Sequence, residues 1–308
     1  MAGRHVDIIA EVGSNHGGDL DEAKRYVEAS GRAGADVVKF QTLTRDGLIA
    51  RFARDATGEI VANPKHAAFS NAGLPDDWHA PLMQCAADNG IEFMSTPFSL
   101  DAVALMEAVG VRRYKIASGD LTFTPLLQCL GATRKPVLLS TGASYLDEVE
   151  KAVATLKHAG CGDITVLHCA ASYPPAWDDM NLSAIATLKR ALGRPVGLSD
   201  HSPGHTAPIA AVALGAVAIE KHVTFDRSLD GPDHPFAMEF DELAAMIADI
   251  RILETALGDG EKRPAASEIN RRRNLRRGRY DATTGHPDAG GEAWLRPQWT
   301  PDDRAGKG

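Results

Sequence analysis

Four apolar runs in this chain are broken by a lysine or end on a histidine: DVVKFQ at Lys39, RYKIAS at Lys115, PVGLSDH at His201 and VAIEKHV at His222. An unpaired ammonium inside such a run is costly to bury, so each lysine needs a carboxylate or a bound anion. Hydroxyls recur beside them, with Thr96, Ser118, Ser140 and Ser199 at or near the ends of similar runs. Cations, hydroxyls and the backbone amides of SGD and STG together make a cradle for phosphate oxygens. Two imidazoles leaving neighbouring strands can share one divalent ion such as Mn, Co, Zn or Fe and leave positions open for water and substrate. Hydrogen-bonding histidines are the alternative. For the lysines the alternatives are structural pairing with Glu11, Asp120, Asp200 or Glu220, and a Schiff-base amine with a lowered pKa.

Further residues border the same chemistry. His16 follows the first apolar run and His168 lies inside LHC, where a third metal ligand and a core histidine are equally open readings. Glu11 ends the first run and suits a proton transfer or a hydroxyl contact. Asp233, in LDGPDHPF, suits a loop that folds over a site, or simply a turn.

Eight short runs alternate with helical patterns: residues 6–12, 36–41, 91–96, 113–118, 136–141, 164–169, 195–200 and 217–223. Near-continuous apolarity fits strands buried on both faces. The segment closing on Gly34 has a C-cap glycine, the segment opening at Ser144 has Asp147 and Glu148 in its first turn, and another runs from Asn181 to Gly193. Eight repeats in about 250 residues predict an α/β (β/α)8 TIM barrel. An open doubly wound sheet fits less well, since no GxGxxG follows the first strand. In a barrel all the singled-out side chains gather at one mouth.

The expected division is a barrel over residues 1–260 and an Arg-rich linker and short irregular tail over 261–308. The tail is too poor in apolar residues to build a core. A net charge of −8 argues against nucleic acid as a partner. The six arginines of 270–279 lack interleaved aromatics and read as a solvated helix end or linker. No secretory or membrane-spanning run occurs, and four cysteines without a CxxC pair fit a cytoplasmic protein.

Ten ordered blocks, among them IIAEVGSNHGGDLDEAK, AGADVVKFQT, YKIASGD, LHCAASYP, GLSDHSPG, GAVAIEKHVTFD and GPDHPFAMEFDEL, resemble the sialic acid synthase family over residues 5–275. The resemblance implies an enzyme that condenses phosphoenolpyruvate with an N-acylated amino-sugar aldehyde to a nonulosonic acid and phosphate. It implies a divalent metal (Mn or Mg, with Co as a third choice) on His201 and His222. Phosphoenolpyruvate would lie on Lys39, Thr96, Lys115, Ser118, Ser140 and Ser199, with Glu11, Asp120 and Asp233 as the catalytic acids. Asp120 stands where the family usually has Glu, and Ala171 where it usually has a polar residue. The family's C-terminal antifreeze-like domain reads as missing or reduced, with Arg296 the match to its Arg-Pro element; a homodimer is compatible with the resemblance. Two other readings stand beside it: a non-catalytic sugar- or phosphate-binding paralogue, and a Schiff-base barrel aldolase.

Overall fold

A computed structural model describes residues 5–68 and 72–296. The chain divides into two compact units, Met1–Leu257 and Gly258–Gly308.

The first unit is the barrel. Its strands are β1 (Asp7–Glu11), β2 (Val37–Thr42), β3 (Glu92–Pro97), β4 (Tyr114–Ile116), β5 (Val137–Ser140), β6 (Ile164–Cys169), β7 (Val196–Asp200) and β8 (Ala218–Thr224). All pair in parallel in the order β3-β2-β1-β8-β7-β6-β5-β4. The two end strands, β3 and β4, lie against each other, which leaves the barrel nearly closed. A barrel helix follows each strand: α1 (Leu20–Ala33), α2 (His79–Asp88), α3 (Leu100–Val109), α4 (Thr124–Ala132), α5 (Leu146–Ala159), α6 (Ala184–Leu192), α7 (Thr206–Ala213) and α8 (Phe240–Ala256). The connection from β2 to α2 also holds two short helices, Arg45–Leu48 and Pro64–Ala68, and a hairpin of Phe52–Arg54 with Ile60–Ala62. No helix among the described residues is long and apolar enough to cross a membrane.

Alternation along each strand divides the core in two. Ile9, Val37, Met94, Leu138, Leu167 and Ala218 form a buried plug inside the barrel. Their strand neighbours, such as Ile8, Val38, Phe93, Leu139, Val166 and Ile219, pack outward in the larger layer beneath the helices. The plug closes the lumen from below, so polar side chains further along the strands meet only at the C-terminal mouth.

Local signals place α1 as expected: Asp19 accepts from the backbone N–H groups of Asp21 and Glu22, and Gly34 ends the helix at φ +92°. Two other helices begin later than their sequence signals. Ser144 turns its hydroxyl onto the Gly142 carbonyl at 3.2 Å, and Tyr145 takes the N-cap position of α5, where its N–H donates to Glu148. Asn181 adopts φ +40°, and α6 starts only at Ala184. Neither residue is in a position to cap: the Ser144 hydroxyl is spent on Gly142, and the left-handed backbone of Asn181 is not the extended conformation of an N-cap.

The second unit holds a helix over Ala266–Leu275 and an antiparallel pair, Gly278–Tyr280 with Ala293–Leu295. Two arginines of the basic run are spent within it. Arg277 donates to the Trp294 carbonyl at 2.8 Å, and Arg279 donates to Gly291 O at 2.7 Å while lying over the Trp294 ring. Arg296 is exposed, and tail residues 297–308 lie outside the described residues.

Candidate active site

Inward-facing positions beyond the plug carry charge in place of methyl groups. Glu11 of β1, Lys39 of β2, Lys115 of β4 and Glu220 of β8 are all at least 95% buried. Lys39 Nζ lies 2.5 Å from Glu11 and 3.7 Å from Glu220, and donates to Thr96 Oγ1 at 3.1 Å. Lys115 Nζ lies 3.2 Å from Glu220, whose Oε1 also accepts from Ser199 Oγ at 2.9 Å. Gln41 donates to Glu11 at 2.8 Å. Two ammonium groups and two carboxylates therefore share one desolvated cluster.

The electrostatics of the two acids differ. Burial pushes Glu11 up to about 7: Lys39 pulls the other way, and the charge of Glu220 adds to the rise. Burial also acts on Glu220, but Lys115, Lys39 and the Ser199 hydroxyl outweigh it and hold that carboxyl down at about 2. Lys39 is held above the ordinary lysine range, because the two glutamates overcome the cost of its burial.

His201 and His222 stand at the ends of β7 and β8 with ring centroids 5.3 Å apart. Burial pushes both down to about 4, so both are neutral imidazoles at physiological pH. His201 Nδ1 lies 3.2 Å from the Ala170 carbonyl, which assigns the proton to Nδ1 and leaves Nε2 as a lone pair. Tyr173 covers His201 at 4.3 Å between ring centroids, and Phe236 covers His222 at 5.0 Å.

Ser140 Oγ, His222 Nδ1 and Asp120 Oδ2 are buried with no hydrogen-bond partner among the described residues. Each such group costs about 1–3 kcal/mol. Of the three, Ser140 and His222 line the same pocket, where a ligand could supply the missing partner. Ser118 Oγ accepts from the Gly142 N–H at 2.9 Å, and a Cβ on Gly142 would come within 2.9 Å of both Ser118 Oγ and the Ala171 Cβ, so the STG turn needs its glycine.

Lys39, Thr96, Lys115, Ser118, Ser140, Ser199, His201 and His222 line one pocket with Glu11 and Glu220. Asp233 reaches the same rim, where it and the His222 ring both press against Gly13. Asp120 sits in the short turn after β4, and burial pushes it up to about 6.

Three other polar side chains of the strands and the first loop do not line this pocket. His168 faces out of the barrel, half-buried, and its Nε2 bonds the Met180 carbonyl at 2.8 Å, so it stands apart from the His201 and His222 pair. Lys221 also faces outward, paired with Asp200 at 2.5 Å. His16 packs between Phe40 and Trp78 and accepts from the Gly18 N–H at 3.1 Å.

Gln41, Glu220, Cys169, Tyr173 and Phe98 also line the pocket but were not singled out for it. The signal for two of them was available. Gln41 is two residues beyond Lys39 and Glu220 two before His222, so period-2 alternation puts each on the same face as its neighbour. Tyr173 and Phe98 arrive on loops, and no local pattern announces them.

The NeuB family profile matches residues 26–262. The chain belongs to the NeuB family. A relative in this family, the N,N'-diacetyllegionaminic acid synthase of Legionella pneumophila, is 40% identical over 88% of this chain and 78% of its own length. The human N-acetylneuraminate-9-phosphate synthase is 32% identical over 87% of this chain and 76% of its own. The crystal structure of the sialic acid synthetase from Leptospira borgpetersenii, in complex with citrate, superposes with a TM-score of 0.79 at 36% identity, covering 88% of this chain and 92% of that one. NeuB membership, with relatives that are synthases of legionaminic and sialic acids, makes the chain an enzyme of the synthase kind.

Proposed function

We propose that this NeuB protein condenses phosphoenolpyruvate with the open-chain aldehyde of an N-acylated amino sugar, giving a nonulosonic acid and phosphate. The observation that carries the reading is the cluster of Lys39, Lys115, Thr96, Ser118, Ser140 and Ser199 beside a pair of neutral histidines in one mouth.

The cations and hydroxyls bind the phosphate and carboxylate of phosphoenolpyruvate and hold its C3 toward the second substrate, turning an encounter into an oriented reaction. C3 forms a bond to the aldehyde carbon. Water adds at C2, and the C2–O bond to phosphate breaks. Glu11, pushed up to about 7 by burial, is suited to hold or pass a proton in this sequence. Asp120 and Asp233 are the further acids, and by the family resemblance Glu11 and Asp233 are the ones that contact the sugar.

His201 and His222 fit a divalent metal: both are neutral, and the buried Nδ1 of His222 has no hydrogen-bond partner among the described residues. Such an ion, Mn or Mg by resemblance, supplies Lewis-acid polarisation of an aldehyde oxygen when bound. A Schiff-base route is disfavoured at Lys39, which two carboxylates hold charged. The four cysteines are unpaired, as a reducing, cytoplasmic setting would keep them.

Incubation with phosphoenolpyruvate, Mn and a panel of N-acyl amino-sugar aldehydes should release phosphate, and EDTA should abolish it. Turnover that survives EDTA, with pyruvate trapped on a lysine by borohydride, would replace this reading with an aldolase. Tight ligand binding without any turnover would replace it with a binding paralogue.

A further inference from the structure

We propose that Ser14 is a positioning residue that aims the Asp233 carboxylate into the mouth and thereby sets affinity for the sugar substrate. The proposal rests on the function argued above and extends it to a residue outside the pocket lining.

Ser14 gives Asp233 Oδ2 two donors, its backbone N–H at 2.9 Å and its hydroxyl at 2.8 Å. These bonds join the loop after β1 to the loop after β8, 219 residues later. Gly13 makes the approach possible. It adopts φ +57°, and a Cβ there would collide with Asp233 Oδ2 and come within 3.3 Å of the His222 ring. One further bond crosses from the β1 loop, Asn15 Nδ2 donating to Val223 O at 2.9 Å, and the β8 loop is tied to its own strand where His234 Nδ1 lies 2.7 Å from Thr224 Oγ1. The β8 loop is thus stitched in place over the mouth.

The consequence lies in the carboxylate's second oxygen. With Oδ2 held by two donors, the group cannot rotate without losing both. No protein donor reaches Oδ1 among the described residues, so it is the acceptor left for a hydroxyl or amide N–H of an amino sugar. Hydrogen bonds to a charged acceptor are stronger than neutral ones, which makes the clamp sensitive to loss of the hydroxyl. The backbone donor survives any substitution, so the effect should be graded and not absolute.

The test is steady-state phosphate release by Ser14→Ala and Ser14→Thr, each alone and with Asp233→Ala. Ser14→Ala should raise KM for the sugar by about tenfold while KM for phosphoenolpyruvate stays within about twofold. Ser14→Thr should recover most of the loss, and Ser14→Ala should add no further loss once Asp233 is alanine. An unchanged sugar KM in Ser14→Ala, an equal rise in both KM values, or the same loss in the Asp233→Ala background would overturn the positioning role and leave the proposed function standing. Absence of phosphate release from the parent protein with every sugar tried would overturn both.

Discussion

Glu220 and Lys221 are consecutive residues of β8, and they face two differently built charge clusters. Lys221 points toward the helix layer, where Asp200 pairs with it at 2.5 Å and the Ser202 carbonyl accepts from it. Asp200 also accepts from the Ser202 N–H at 3.0 Å. Burial lowers the lysine's pKa and Asp200 opposes the shift. Glu220 points into the lumen, where it is shared between two lysines and a serine. The outer pair is closed: each charge has a dedicated partner. The inner cluster is shared among two ammonium groups and two carboxylates; unpartnered polar atoms border both clusters, Ser202 Oγ beside the outer pair and Ser140 Oγ beside the inner one. Both are equally buried, so burial alone does not separate a structural charge from a functional one. What separates them is whether each charge has one private partner or shares several.

The largest effect that would sharpen this contrast is expected from Lys115→Met. Its kcat/KM for phosphate release should fall by about a thousandfold, on the order of 4 kcal/mol of lost transition-state stabilisation. Urea denaturation should show only a modest stability loss, because Glu220 keeps Lys39 and Ser199. Lys221→Met should do the reverse. It leaves Asp200 as an uncompensated buried charge and should cost about 3–5 kcal/mol in the same denaturation experiment, while the folded fraction keeps its kinetics. If Lys221→Met proved as active and as stable as the parent, the outer pair would not be the structural element described here.

The pH dependence of stability offers a third test. The folded pKa of Glu11 is raised, so its contribution is fully present below its ordinary value near 4.5 and is lost as pH rises through about 7. Glu11→Gln should flatten that part of the stability profile, an effect on the order of 3 kcal/mol across the window, measured by urea unfolding at stepped pH. Glu220 has the opposite sign, since its stabilisation is lost only as pH falls toward about 2. The smallest effect is expected from His168→Asn. Loss of the bond to the Met180 carbonyl should cost about 1 kcal/mol and leave phosphate release unchanged. A large kinetic defect there would return His168 to the metal question.

Much of this was legible in the linear chain. Runs such as VDIIAEV and ITVLHC are apolar on both faces, and only a strand buried between a lumen and a helix layer needs that pattern. The lysines at 39 and 115 and the histidines at 201 and 222 were conspicuous because each interrupts such a run at a cost that something must offset. The helix starts were less legible. Ser144 and Asn181 look like caps, but the hydroxyl of Ser144 bonds the Gly142 carbonyl and the backbone of Asn181 is left-handed, and neither is announced by residue type.

The order of residue types along the chain was enough to determine a barrel with charged side chains at its strand ends, because periodicity and the cost of burial act locally. Which face each side chain takes was a tertiary decision. Lys115 and Lys221 are equally out of place in their strands, yet one meets a shared glutamate in the lumen and the other a private aspartate behind the wall. Closure of the barrel decides this, because pairing register turns neighbouring residues to opposite sides and brings Ser14 to Asp233 across most of the chain's length.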